Sequence, residues 1–314
     1  MSIVHSPVRR NSASGHAVRS VVAHDEPEHH HLRALQDLSS ALPTPEAFAA
    51  AGARLCNVVT TPDFHPGKPV PVGVVADVEG AVLPHMIGND IGCGMRLLVV
   101  EGVSASELGG DLERHLRHVF FQGGRDIALT GKDRHSILRD GIPGLLESLS
   151  IRRDGLLSKL DLDQAWRDVD RTCDDGQFAC GRVVDGFSDY AALDDTHRRD
   201  AILGTIGGGN HFVEFGIVEK VIDGRFAAAA GVRRDTIAIV VHSGSLDFGQ
   251  HVGSSVREKL MARRSSRLDY RILSQDEGLY RDYMDGHANA ANAAFANRFL
   301  IGLAAIEASD EMLT

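Results

Sequence analysis

Thr236-Ile-Ala-Ile-Val-Val-His242-Ser-Gly-Ser245 is the stretch that decides the fold. A short run of apolar, mostly β-branched residues reads as a buried strand, and this one stops on a histidine followed by a Ser-Gly-Ser turn. In α/β architectures ligands gather at the C-terminal edge of strands, which is where His242 stands. The hydroxyls of the turn and the N–H groups of Ser243 and Gly244 suit an anion. A lone histidine at a strand end is otherwise an ordinary structural residue, so its meaning depends on the segments around it.

Upstream lies Gly204-Thr-Ile-Gly-Gly-Gly-Asn210-His211-Phe-Val-Glu214, a glycine-rich turn that runs straight into a second strand-like segment over 211–222. It matches neither a dinucleotide-binding nor a P-loop pattern. Strand alternation sets Phe212 and Glu214 on the face opposite His211 and Val213. Further upstream, His85-Met-Ile-Gly-Asn-Asp90-Ile-Gly-Cys93-Gly-Met95 sets a carboxylate and a thiol three residues apart among glycines. Glycines let such a loop fold its backbone closely around a small object. A carboxylate and a thiol projecting from it can hold one divalent ion, or two if the thiolate bridges. A buried cysteine beside a turn aspartate is the other reading of that loop.

Taken together, Asp90, Cys93, His211 and His242 form a ligand set for borderline metals, with soft sulfur and imidazole nitrogen beside hard oxygen. His65, in Pro62-Asp63-Phe-His65-Pro-Gly67, joins them as a supporting residue. There the Asp63 carboxylate either orients the imidazole or closes an Asx turn.

The surrounding chain supplies strands over 55–60, 70–78 and 96–100, a helix over 106–120, and helical patterns near Leu145 and over 160–169. The last helix spans 283–306, with Met284, Ala288, Ala291, Phe295, Phe299 and Leu303 in one apolar stripe that needs a partner surface. The fold class is mixed α/β: central sheets flanked by helices, with a loosely ordered N-terminal tail. Residues 1–45 read as that tail and a leading helix, and 46–314 as the core. His29-His-His31 reads as the solvated start of the leading helix, because adjacent histidines point in different directions on a helix.

The 314 residues carry a formal net charge of −10, which excludes nucleic-acid binding by bulk basicity but not by a local basic groove. No apolar run is long enough for a membrane span, and no secretory leader is visible. The four cysteines form no CxxC pair, which favours a reduced, cytoplasmic protein.

Four segments in order, Pro62-Asp-Phe-His-Pro-Gly67, Ile87-Gly-Asn-Asp-Ile-Gly-Cys-Gly94, Gly204 to Glu214 and Val241-His-Ser-Gly-Ser245, resemble the successive signatures of the RtcB family, the GTP- and manganese-dependent RNA-splicing ligases. The resemblance covers roughly residues 55–310. It implies that Asp90, Cys93, His211 and His242 hold two Mn²⁺ ions, with the Cys93 thiolate bridging them. It also implies that Asn210 and Glu214 contact the guanine nucleotide of GTP, that Ser243 and Gly244 belong to the cofactor-binding turn, and that Asp63 and His65 lie beside the site. The implied reaction joins RNA 3′-phosphate or 2′,3′-cyclic phosphate ends to 5′-hydroxyl ends through a guanylylated histidine. Manganese is implied by the family alone, since a thiolate suits softer ions.

Three features depart from the family pattern. The family's third metal histidine and its guanylylated histidine lie in later motifs, and none of the 16 histidines here stands in a matching context. The family's arginine after Ser-Gly-Ser is Leu246. These departures imply a core that is C-terminally incomplete and leave two further readings open: a dinuclear-metal phosphoesterase, and a catalytically inactive relative that binds metal and nucleotide.

Overall fold

A computed structural model of the chain describes residues 4–5, 9–10, 17–22, 29–100, 111–263 and 269–310. It is a mixed α/β protein of small sheets flanked by helices. In chain order the strands are β1 (Val4–His5), β2 (Arg9–Arg10), β3 (Ala17–Val22), β4 (Arg54–His65), β5 (Val72–Glu79), β6 (Ala81–Val82), β7 (Gly94–Val100), β8 (Ala128–Leu129), β9 (Arg198–Arg199), β10 (Phe212–Ile217), β11 (Ile237–Ser243) and β12 (Leu273–Ser274). The helices are α1 (His29–Ala41), α2 (Pro45–Ala50), α3 (Leu112–Phe121), α4 (Gly131–Leu149), α5 (Leu162–Val169), α6 (Gly224–Ala229), α7 (Asp247–Met261) and α8 (Gly278–Asp310). Residues 106–110 of the helix expected over 106–120 lie outside the described residues. The chain forms two compact units, 1–89 with 252–284 and 90–251 with 285–314.

The first unit is built on the sheet β1-β3-β4-β5, with β2 on β3. Within the N-terminal region that shows no sequence period, β3 pairs in parallel with β4, Arg19 facing Val59. The core of this unit gathers Leu38, Leu42, Phe48, Val58, Phe64 and Ile272. Thr44 caps α2 by accepting from the Ala47 N–H at 3.3 Å, with Pro45 at the first helical position, where its missing N–H is harmless.

The second unit carries the three-stranded sheet β10-β11-β7, antiparallel throughout. The central strand β11 alternates strictly, with Ile237, Ile239, Val241 and Ser243 buried and the residues between them half-buried. Ile239 and Val241 pack against Ile301 and Ala305 of α8, joined by Leu98, Val100, Val213 and Phe215 from the flanking strands. That alternation leaves His242, Phe212 and Met95, which are register partners, on the opposite face.

Antiparallel pairing explains the convergence of the motifs. It brings the starts of β7 and β10, just after Cys93 and His211, to the end of β11, where His242 lies. The sequence expectation that ligands meet at a strand's C-terminal edge therefore holds for β11. The geometry is that of an antiparallel sheet, not of the parallel α/β edge on which the expectation rests.

Helix α8 departs from its expected form. Met284 is 38% exposed, whereas Ala290, Ala293, Ala294, Ala296, Leu300, Ile301 and Ala304 are as buried as the expected stripe. Residues 288–309 are all buried or half-buried, so apolar surface is covered well beyond the expected stripe. The periodic stripe understates this because alanines fill the other faces and let neighbouring backbone approach. Gly92 illustrates the approach: its φ is +72°, and a Cβ there would lie 2.9 Å from the Ala294 Cβ.

Candidate metal centre

The loop before β7 is a tight turn in which the Cys93 N–H donates to the Asp90 carbonyl at 3.1 Å. This points carboxylate and thiol toward the end of β11. The Cys93 Sγ lies 3.2 Å from His242 Nε2 and 3.6 Å from His211 Nε2. The His211 Nε2 lies 2.7 Å from Asp90 Oδ2. The ligating atoms of Cys93, His211 and His242 all fall within 4.8 Å of one another, and the two imidazole rings are 5.4 Å apart.

His211 reaches the cluster because the preceding turn, with Gly207 and Gly209 at φ +89° and +76°, breaks strand geometry before β10 begins. Its Nδ1 is 2.9 Å from the Ile206 carbonyl oxygen, so Nδ1 carries the proton and donates there. Nε2 is then left as a lone-pair donor, the usual arrangement of a metal-ligating histidine. Strand alternation alone sets His211 on the face away from His242; the irregular turn overrides it.

Asp90 is held from two sides. Its Oδ1 accepts from the Leu246 N–H at 3.0 Å, and a Cβ on Gly244 would collide with its carboxylate. Gly244 is therefore needed so that the carboxylate can lie on the turn. Leu246 takes a left-handed φ of +52°, aiming its N–H at that carboxylate. Oδ2 itself is buried, with no hydrogen-bond donor among the described residues. An imidazole lone pair, a carboxylate oxygen and a sulfur that face one another this closely need a cation or proton between them. The donor set fits a divalent cation. Burial, and then the charge of Asp90, push the Cys93 thiol up to about 11. Burial, and then the neighbouring His211, hold His242 below the ordinary imidazole range.

The other expected site residues fall as follows. Asn210 is exposed in the turn before β10, and Glu214 is exposed on β10 on the same sheet face as Phe212, whose ring meets His242 edge-on at 5.3 Å. Ser243 corrects the expectation of a free hydroxyl. It is fully buried, donates to the Ile206 carbonyl at 2.8 Å and accepts from Asn297 at 3.0 Å. The anion that this turn holds is the Asp90 side chain.

Asp63 and His65 belong to the first unit, at the end of β4. There the imidazole Nδ1 meets the Asp63 carbonyl at 2.5 Å, and the carboxylate accepts instead from the Thr61 hydroxyl. Carboxylate orientation of His65 is thus not what the structure has. All four cysteines are free. Among the described residues no helix is long and apolar enough to cross a membrane. Sequence reasoning missed Asn297 and Arg298, which reach the backbone of the site loops from α8. Their only signal is polarity inside an alanine-rich apolar helix.

The sequence matches the family described as tRNA-splicing ligase RtcB over residues 47–314. The chain belongs to the RtcB family. It is 31% identical over 256 residues to the RNA-splicing ligase RtcB of Mycobacterium tuberculosis, covering 76% of this chain and 55% of that protein. It is 28% identical over 256 residues to the tRNA-splicing ligase RtcB of Pyrobaculum aerophilum, covering 77% and 50%. The chain thus spans about half the length of the relatives it matches.

Proposed function

We propose that this chain carries the metal centre of a GTP- and Mn²⁺-dependent RNA ligase that joins 3′-phosphate or 2′,3′-cyclic phosphate ends to 5′-hydroxyl ends. The observation that supports it is the meeting of one thiol, one carboxylate and two imidazoles from three separate segments, in a member of a family named for RNA splicing. Asp90, Cys93 and His211 would hold one ion, and Cys93 with His242 the second, the sulfur being shared. Bound there, divalent cations supply charge neutralisation at phosphate oxygens and favour in-line displacement. Cys93, protonated when the site is free of metal, gives up its proton on ligation. Asn210 and Glu214, both open to solvent beside the cluster's strand, would recognise the guanine nucleotide, and the backbone N–H groups of the glycine-rich turn would face its phosphates. The histidine that takes GMP is assigned to no residue of this chain.

The test uses the protein encoded by the complete reading frame, with Mn²⁺, GTP and an RNA bearing a 3′-phosphate and a 5′-hydroxyl. The account predicts a sealed product that requires both Mn²⁺ and GTP and disappears in Cys93→Ala. Opening of a cyclic phosphate without GTP and without sealing would instead identify a phosphoesterase. No turnover of either kind would identify a binding protein.

A further inference from the structure

Asn297 and Arg298 are consecutive residues of α8, 1% and 6% exposed, in a stretch otherwise made of alanine and large apolar side chains. Neither belongs to the ligand set, yet between them they touch all three loops that present it. Asn297 Oδ1 accepts from the Gly204 N–H at 2.7 Å, and the two hydrogens of Nδ2 are shared among the Thr205 carbonyl at 3.2 Å, the Ser243 hydroxyl at 3.0 Å and the Gly244 carbonyl at 3.1 Å. Arg298 Nη1 donates to the Gly92 carbonyl at 2.5 Å and to the Ser243 carbonyl at 2.9 Å. One amide therefore ties the glycine-rich turn that leads to His211 to the turn that follows His242. One guanidinium ties that second turn to the loop carrying Asp90 and Cys93.

We infer that Asn297 and Arg298 are positioning residues that hold the Asp90–Cys93, His211 and His242 loops in the register the metal centre requires. Loop backbone is the part of a fold most free to open locally. Buried donors aimed at loop carbonyls are an effective restraint, because breaking such bonds strands polar groups without water. The inference rests on the reading of the cluster as a metal centre.

Asn292, five residues earlier on α8, supplies the matched control. It is equally buried, and it binds the Phe178 N–H at 2.6 Å, the Phe178 carbonyl at 3.0 Å and the Leu138 carbonyl at 3.1 Å, none of them in a ligand loop. The experiment compares Asn297→Leu, Arg298→Met, Arg298→Lys and Asn292→Leu by two readouts. The first is amide hydrogen exchange in metal-free protein. The second is Co²⁺ titration followed by the thiolate-to-cobalt charge-transfer band. Asn297→Leu is expected to speed exchange at Gly204 and Leu246 by about tenfold or more with Phe178 unchanged, and Asn292→Leu to do the reverse. Cobalt affinity is expected to fall roughly 10- to 100-fold in Asn297→Leu and Arg298→Met, as for other residues that support ligands from behind. Arg298→Lys, which keeps the charge and can reach a carbonyl, should recover part of the loss.

Unchanged exchange at Gly204 and Leu246 overturns the inference, as does an equal loss of cobalt affinity in Asn292→Leu. If the unaltered protein gives no thiolate–cobalt band, the metal reading fails, and with it the register requirement. The exchange pattern then reports only whether α8 clamps these loops.

Discussion

The Asp90–His211 and Asp63–His65 couples are built in opposite ways. In the second unit, Asp90 turns its carboxylate to His211 at 2.7 Å, with Cys93 and His242 completing the group, and Oδ2 has no hydrogen-bond donor among the described residues. In the first unit, Asp63 and His65 are both exposed; the histidine meets the Asp63 backbone carbonyl, and the carboxylate is taken by Thr61. Sequence spacing makes both look like chemistry. The difference lies in whether the side chains are left with lone pairs that nothing in the fold satisfies. Asp90 Oδ2 has them and is buried, whereas the Asp63 carboxylate accepts from Thr61 and is open to water.

The sharpest break in this comparison comes from deleting the Cys93 thiol. Cys93→Ala is expected to release both ions, counted by elemental analysis after equilibration with Mn²⁺, whereas His242→Ala should release mainly one. Equal losses in the two variants would show that the sulfur does not bridge. Next in size is Gly244→Ala. Its new Cβ falls on the Asp90 carboxylate, so metal affinity should drop at least tenfold with the thermal midpoint little changed. An unaltered affinity would mean that Asp90 is not a ligand.

A smaller effect is expected at His85, a first-unit histidine with a structural role, whose ring meets the Ala41 carbonyl at 3.0 Å. Burial, and then the nearby Arg271, hold its pKa below the ordinary 6.5. The folded protein therefore keeps it neutral, while the unfolded chain takes up a proton as pH falls through that value. Stability from this group is complete above about pH 6.5 and declines as pH drops below it, until the folded imidazole also protonates. Denaturant midpoints of the parent and His85→Gln, measured from pH 7 downward, should converge as the group's contribution is lost. Parallel curves would contradict the assignment. Least of all, Asp63→Asn should shift stability by no more than about 0.5 kcal/mol, as an exposed substitution does, and leave the ion count unchanged.

Much of this was legible in the sequence, for a physical reason. β-branched runs with abrupt ends mark β7 and β11 well, and a ligating side chain at a strand end is visible without any knowledge of pairing. What stayed hidden depends on partners remote in sequence. The antiparallel order of β10, β11 and β7 cannot be read from the strands individually. His211 joins its partners only because a glycine turn overrides alternation. Ser243 looks like a free donor until the Ile206 carbonyl, 37 residues away, accepts its hydroxyl proton. The enclosure of α8 is concealed because alanine adds little to a periodic apolar signal while permitting the closest packing.

The most direct test of the central claim is anomalous diffraction at the manganese edge from crystals of this protein grown with Mn²⁺. The account predicts two peaks, roughly 3.5–4 Å apart, flanking the Cys93 sulfur, one beside Asp90 and His211 and the other beside His242. Density that places no manganese within bonding distance of that sulfur would contradict it.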